Sequence, residues 1–132
     1  MKQDNLTAAD AALLAAAIEA RRNAYAPYSQ FMVGAAVRTA DGSIYRGCNV
    51  ENASYGLSCC AERNAIFAAV GAGHTAMEAL CVAADTSRPV SPCGACRQVM
   101  AEFKIPKIIL ANLQGEAAVY TYEELLPYSF SL

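Results

Sequence analysis

Charge is scarce in this chain. Asp, Glu, Lys and Arg make up 17% of its 132 residues, against 55% hydrophobic. Few charges are left to cover the outside, so part of the apolar surface is expected to pack against copies of the chain. Basic clusters are lacking too. The only basic doublet is Arg21-Arg22, near the end of a predicted helix, where the dipole favours positive charge. With a net charge of -2, the chain carries no electrostatic footprint for DNA or RNA. Apolar runs of membrane length are absent: the stretch Ala11 to Ile18 is too short and is flanked by Asp10 and Glu19. Lys2 is the only basic residue before it, and Asp4 and Asp10 stand where a secretory signal would be positive. A cytoplasmic protein with no membrane or nucleic-acid partner is expected. In that compartment disulfides are rare, so the six cysteines point to metal or catalysis. Repeats, low-complexity segments and linkers are missing as well, which leaves one domain over residues 1–132.

Helical and strand-like segments alternate. Thr7-Ala8-Ala9-Asp10 resembles a capping box that opens a helix, with Leu13, Leu14, Ala17 and Ile18 on its buried face. That helix is expected to stop near Asn23, because Pro27 pushes Ala26 toward extended geometry. Tyr25 to Ser29 reads as a rigid connector whose tyrosines pack. Strands are expected over residues 31–39 and 43–49 about an Asp41-Gly42 turn, then over 76–84, 107–111 and 117–120. Helices are expected over 60–70 and 93–103, and a short one after the capping box Thr121 to Glu124, ended by Pro127. This order predicts an α/β domain built on one mixed sheet.

Two stretches carry chemistry: Cys60-Ala61-Glu62 and Pro92-Cys93-Gly94-Ala95-Cys96. Cys93 and Cys96 are three apart at a helix start, which puts both sulfurs on one face. Cys60 begins another helix. Helix N-termini favour the negative charge of thiolates. Three sulfurs could hold a zinc ion with one position left open. Three thiolates with Zn²⁺ carry net charge -1, and Arg63 is the candidate cation to offset it by donating to the sulfurs. Glu62, two residues after a proposed ligand, could move protons to and from a water. Together the two stretches match the zinc-deaminase signature in full, with cysteine as the first ligand.

The matching stretches extend further. Tyr25-Ala-Pro-Tyr-Ser29, Phe31 with Val33-Gly34-Ala35, Gly47 to Ala53, Cys60 to Arg63, Ser91 to Gln98, and Glu124 to Pro127 with Phe130 resemble the small, homotetrameric class of cytidine deaminases. The resemblance implies a three-layer α/β/α domain with a five-stranded mixed sheet. It implies Zn²⁺, one per subunit, on Cys60, Cys93 and Cys96, and Glu62 as the proton carrier. Phe31, Asn49, Glu51, Ala61 and Phe130 would contact substrate, with Asn49 and Glu51 on the ribose. Phe130 would reach a neighbouring subunit's site, so that sites are shared across a homotetramer. The implied reaction is hydrolytic deamination of cytidine and deoxycytidine at C4, a step of pyrimidine salvage. Cys59 should point away from the metal, Cys48 and Cys81 should be small buried hydrophobes, and the lone histidine, His74, a surface turn residue.

Three alternatives remain open at this level. Another aminonucleoside such as blasticidin S could be the substrate of the same fold; Asn49-Val50-Glu51-Asn52 and Phe130 argue for cytidine. A structural zinc module would need a fourth ligand, which Cys59 could supply. A thiol redox protein could use Cys93 and Cys96.

Overall fold

Thr7 starts the first helix, α1 (Ala8–Arg21), by accepting the Asp10 N–H at 3.2 Å. The capping box is only half formed. The Asp10 carboxylate turns inward instead, to Arg38 at 3.2 Å and Lys107 at 2.9 Å. The computed structural model describes residues 1–132. Its strands are β1 (Val33–Thr39), β2 (Ile44–Cys48), β3 (Met77–Ala84), β4 (Lys107–Asn112) and β5 (Ala117–Tyr120). They form one sheet in the order β2-β1-β3-β4-β5. The β3–β4 pair is parallel and the other three are antiparallel, so the sheet is mixed as expected.

Side chains alternate between two faces, as a pleated strand requires. On β3, Ala79, Cys81 and Ala83 join the cluster around Leu13, Leu14 and Ala17 of α1. Leu80, Val82 and Ala84 join the opposite cluster, with residues of α2 (Ala61–Gly71) and α3 (Gly94–Glu102). Helices therefore cover both faces, which gives the three-layer α/β/α arrangement. Small side chains let the helices lie close. A Cβ on Gly34 would stand 2.0 Å from the Ala17 carbonyl oxygen of α1. A Cβ on Gly47 would stand 2.4 Å from the Ala65 nitrogen and 2.5 Å from the Ala61 carbonyl oxygen of α2. Both helix seats thus require glycine, and the second fixes the N-terminal turns of α2 against β2.

The last helix, α4 (Tyr122–Leu125), carries a complete capping box between Thr121 and Glu124. Elsewhere boundaries shift for identifiable reasons. β1 begins at Val33 instead of Phe31, because Phe31 and Met32 spend their carbonyls on side chains: Asn49 takes one and Arg21 the other. α1 stops at Arg21, two residues before Asn23, where Arg22 and Asn23 close the last turn. Tyr25 and Tyr28 are more than half exposed and do not pack in this chain. No helix is long and apolar enough to cross a membrane.

Candidate active site

Two helix starts bring the sulfurs together. Cys60 is the N-cap of α2, and Cys93 is the N-cap of α3 with Cys96 in its first turn. The three Sγ atoms lie within 4.8 Å of one another. Cys60 and Cys93 are 3.8 Å apart, and Cys93 and Cys96 3.4 Å. Tetrahedral zinc with Zn–S bonds near 2.3 Å sets sulfurs roughly 3.8 Å apart, so the residues present fit that ion. Cys59 lies outside the group, which leaves a three-sulfur set with no fourth cysteine.

The electrostatics suit a metal. The contact with Cys96, aided by the Arg63 guanidinium, draws the Cys60 thiol down to about 5 against the opposing effect of burial. The same contact, together with burial, pushes the Cys96 thiol up. The sulfur cluster thus takes one negative charge readily, and further thiolates need a cation to share them. Arg63 Nη2 donates to Cys60 Sγ at 3.3 Å, while its Nε is buried with no partner in the chain. That placement sets a permanent positive charge beside the thiolates, as a Cys₃ site of net charge -1 demands.

Glu62 lies in the first turn of α2 and is 4% exposed. Burial raises its carboxyl to about 7, with the Cys60 sulfur adding to the rise. Such a group can both accept and release a proton near neutral pH. Glu62 lines a cleft of about 190 Å³ with Phe31, Asn49, Cys60, Ala61 and Cys93, and with Val33, Val90 and Ser91. Most of the residues singled out from the sequence meet there.

Two do not. Glu51 borders a neighbouring depression of about 320 Å³ with Tyr28, Ser29, Asn52, Tyr55 and Ser58. Its carboxylate accepts the Ser29 hydroxyl and the N–H groups of Tyr28 and Ser29. The Ser29 hydrogen bond leads in holding it below the usual carboxylate range, against the opposing effect of desolvation. Phe130 is 71% exposed and borders a third cavity of about 480 Å³, beside Tyr122 and Lys104. It does not enter the cleft of its own chain. Asn49 does line the cleft, and its side chain also pins the residues that lead into β1. Its Oδ1 accepts the Val33 N–H and its Nδ2 donates to the Phe31 carbonyl, both at 2.8 Å.

Sequence reading missed several contributors. Asn64 Nδ2 donates to the Cys48 carbonyl at 2.8 Å and so ties the start of α2 to the end of β2. Val90 and Ser91 form part of the cleft wall. Arg97 fastens the loop before Cys93; its place right after a candidate ligand, like that of Arg63 near Cys60, was the available signal. Cys81 is fully buried as expected, whereas Cys48 is only half-buried. His74 follows the turn that ends α2, is partly exposed, and packs on Tyr45 with ring centroids 5.5 Å apart.

An α/β/α domain that sets three sulfurs beside a buried carboxylate at the mouth of a small cleft has the layout of a metal-dependent hydrolase. Comparison with known proteins narrows this. The family model described as the cytidine and deoxycytidylate deaminase zinc-binding region matches residues 7–112, and the chain belongs to that family. It is 55% identical over 121 residues to a cytidine deaminase of Halalkalibacterium halodurans, covering 90% of this chain and 92% of the relative. It is 52% identical to one from Sporosarcina psychrophila, covering 90% and 89%. The solved cytidine deaminase of Burkholderia pseudomallei superposes with a TM-score of 0.89 at 50% identity, over 95% of this chain and all of that one.

Proposed function

We propose that this chain deaminates cytidine and deoxycytidine by hydrolysis at C4 of the base, giving the uridine product and ammonia. The observation that carries the reading is the buried Glu62 in one cleft with the Cys60 and Cys93 sulfurs. Cys60, Cys93 and Cys96 would hold one zinc ion, which as a Lewis acid makes a water acidic enough to serve as nucleophile. Glu62 accepts the proton of that water and delivers it to N3 of the ring, leaving C4 electron-poor. Water oxygen bonds to C4. Glu62 then carries the remaining proton of that oxygen to the exocyclic nitrogen, the C4–N bond breaks as the C4 carbonyl forms, and ammonia leaves. Burial keeps Glu62 from preferring either protonation state strongly, as this two-way role requires. Arg63 offsets the charge of the thiolates throughout.

Substrate contacts follow from the lining. Phe31 and Ala61 offer apolar surface to the nucleoside. Asn49 retains one amide hydrogen and one lone pair after its bonds to Val33 and Phe31, and Glu51 retains lone pairs after accepting from Ser29 and Tyr28. Between them they supply an acceptor and a donor for a ribose hydroxyl. Phe130, exposed and outside its own cleft, supports a site completed by a neighbouring subunit in a homotetramer. The six free cysteines fit a cytoplasmic setting.

The test is an assay of cytidine deamination with zinc measured on the same sample. Uridine and ammonia in equal amounts are expected. A zinc-loaded sample that forms neither would overturn the reading, and faster turnover of blasticidin S than of cytidine would change the substrate.

A further inference from the structure

We infer that Arg97 is a positioning residue for the metal ligand Cys93, tying the loop that carries it to the end of α4. The inference rests on the zinc reading above. Arg97 follows Cys96 on α3, and its guanidinium folds back over the first turn. Nε donates to the Pro92 carbonyl at 2.9 Å, Nη2 to Ser91 Oγ at 2.8 Å and Nη1 to the Leu125 carbonyl at 2.9 Å. Ser91 and Pro92 are the two residues immediately before Cys93.

Val90 and Pro92 are buried, but few backbone hydrogen bonds hold the loop. The Val90 N–H reaches the Ala111 carbonyl at 3.4 Å. Beyond it, neither Ser91 nor Pro92 makes a backbone–backbone hydrogen bond, and Pro92 has no N–H to offer. The side chain of Arg97 therefore supplies the polar restraint that the backbone does not. Its planar fork of donors meets three acceptors at once, which a lysine ammonium on a flexible stem cannot reproduce. The Leu125 carbonyl stands at the C-terminal end of α4, where helix carbonyls lack helical partners. The next side chain on α3, Gln98, donates to the Phe130 carbonyl at 3.1 Å. Consecutive residues of one helix thus fasten the ligand loop, the last helix and the tail.

The experiment compares the zinc-loaded native protein with Arg97→Lys and Arg97→Met. The readouts are zinc transfer to a chromogenic chelator, the thiolate-to-metal absorption of the cobalt(II)-substituted protein, and thermal unfolding. Both variants are expected to hold zinc about 10–100-fold more weakly and to show shifted cobalt bands, at temperatures where their far-UV circular dichroism is native. Native zinc retention and an unchanged cobalt spectrum in both, even with a lowered melting temperature, would overturn the inference. Should neither variant fold, Ser91→Ala removes one acceptor and leaves the backbone intact; zinc retention equal to native there would overturn it likewise. A native protein that holds no zinc would sink the zinc reading itself, an outcome distinct from variants that match a zinc-loaded native chain.

Discussion

Gly47 and Ala65 sit so close that no side-chain atom fits between them: a Cβ on Gly47 would lie 2.4 Å from the Ala65 nitrogen. Because the obstacle is helix backbone, it cannot swing aside. Gly47→Ala is expected to cost about 3 kcal/mol, the upper end for overpacking, and to displace the turn that carries Cys60 and Glu62. Urea unfolding measures the first effect and zinc content the second. A variant as stable as native would show that α2 can lift off β2 freely.

Glu62→Gln keeps the size of a buried side chain but removes its ability to take a proton. Loss of about 10²–10⁴-fold in kcat is expected, with zinc still bound at one per chain. Ammonia release and metal analysis on one preparation decide it. Full activity would remove Glu62 from the mechanism.

Replacing Arg63 with Gln withdraws the cation 3.3 Å from Cys60 Sγ. Zinc affinity or turnover should fall about 10–100-fold, as read by chelator competition and by the cytidine assay. No change in either would mean that the thiolate charge is balanced elsewhere.

Much of this was legible in the sequence because it is local. The Cys93 and Cys96 pair, the two helix starts, the Asp41-Gly42 turn and the α4 capping box all depend on residues within a few positions of one another. What escaped depends on partners far along the chain. Asp10 looked like half of a capping box, yet its carboxylate pairs with Arg38 and Lys107, 28 and 97 residues away. Gly34 and Gly47 carry no local sign that a helix backbone will press on them. The late start of β1 arises from Asn49 and Arg21, which take the carbonyls of Phe31 and Met32.

Asp10 gives the chain an acid-sensitive joint. Burial disfavours its carboxylate, but hydrogen bonds from Lys107 and Arg38 outweigh that and leave its pKa lowered. The folded state then binds the proton more weakly than the unfolded state does. The contribution is present above the unfolded value, near ~3.9, and fades as pH falls through the folded one. Asp10→Asn is expected to cost roughly 3 kcal/mol at pH 7, the low end for a broken buried pair, because Lys107 is 40% exposed and can turn to water. The gap between the two proteins in urea unfolding should close below about pH 4. A gap that stays constant down to pH 2 would show that charge on Asp10 contributes nothing.

The three sulfurs come from helices on either side of β3 in the chain, Cys93 standing 33 positions after Cys60. An ion shared among them cross-links two segments that the unfolded chain leaves free. Zinc is then a reversible staple as well as a cofactor. Its occupancy stabilises the native state by about 2.7 kcal/mol at a hundredfold excess over Kd. The melting temperature of this chain is thus a reading of the free zinc around it.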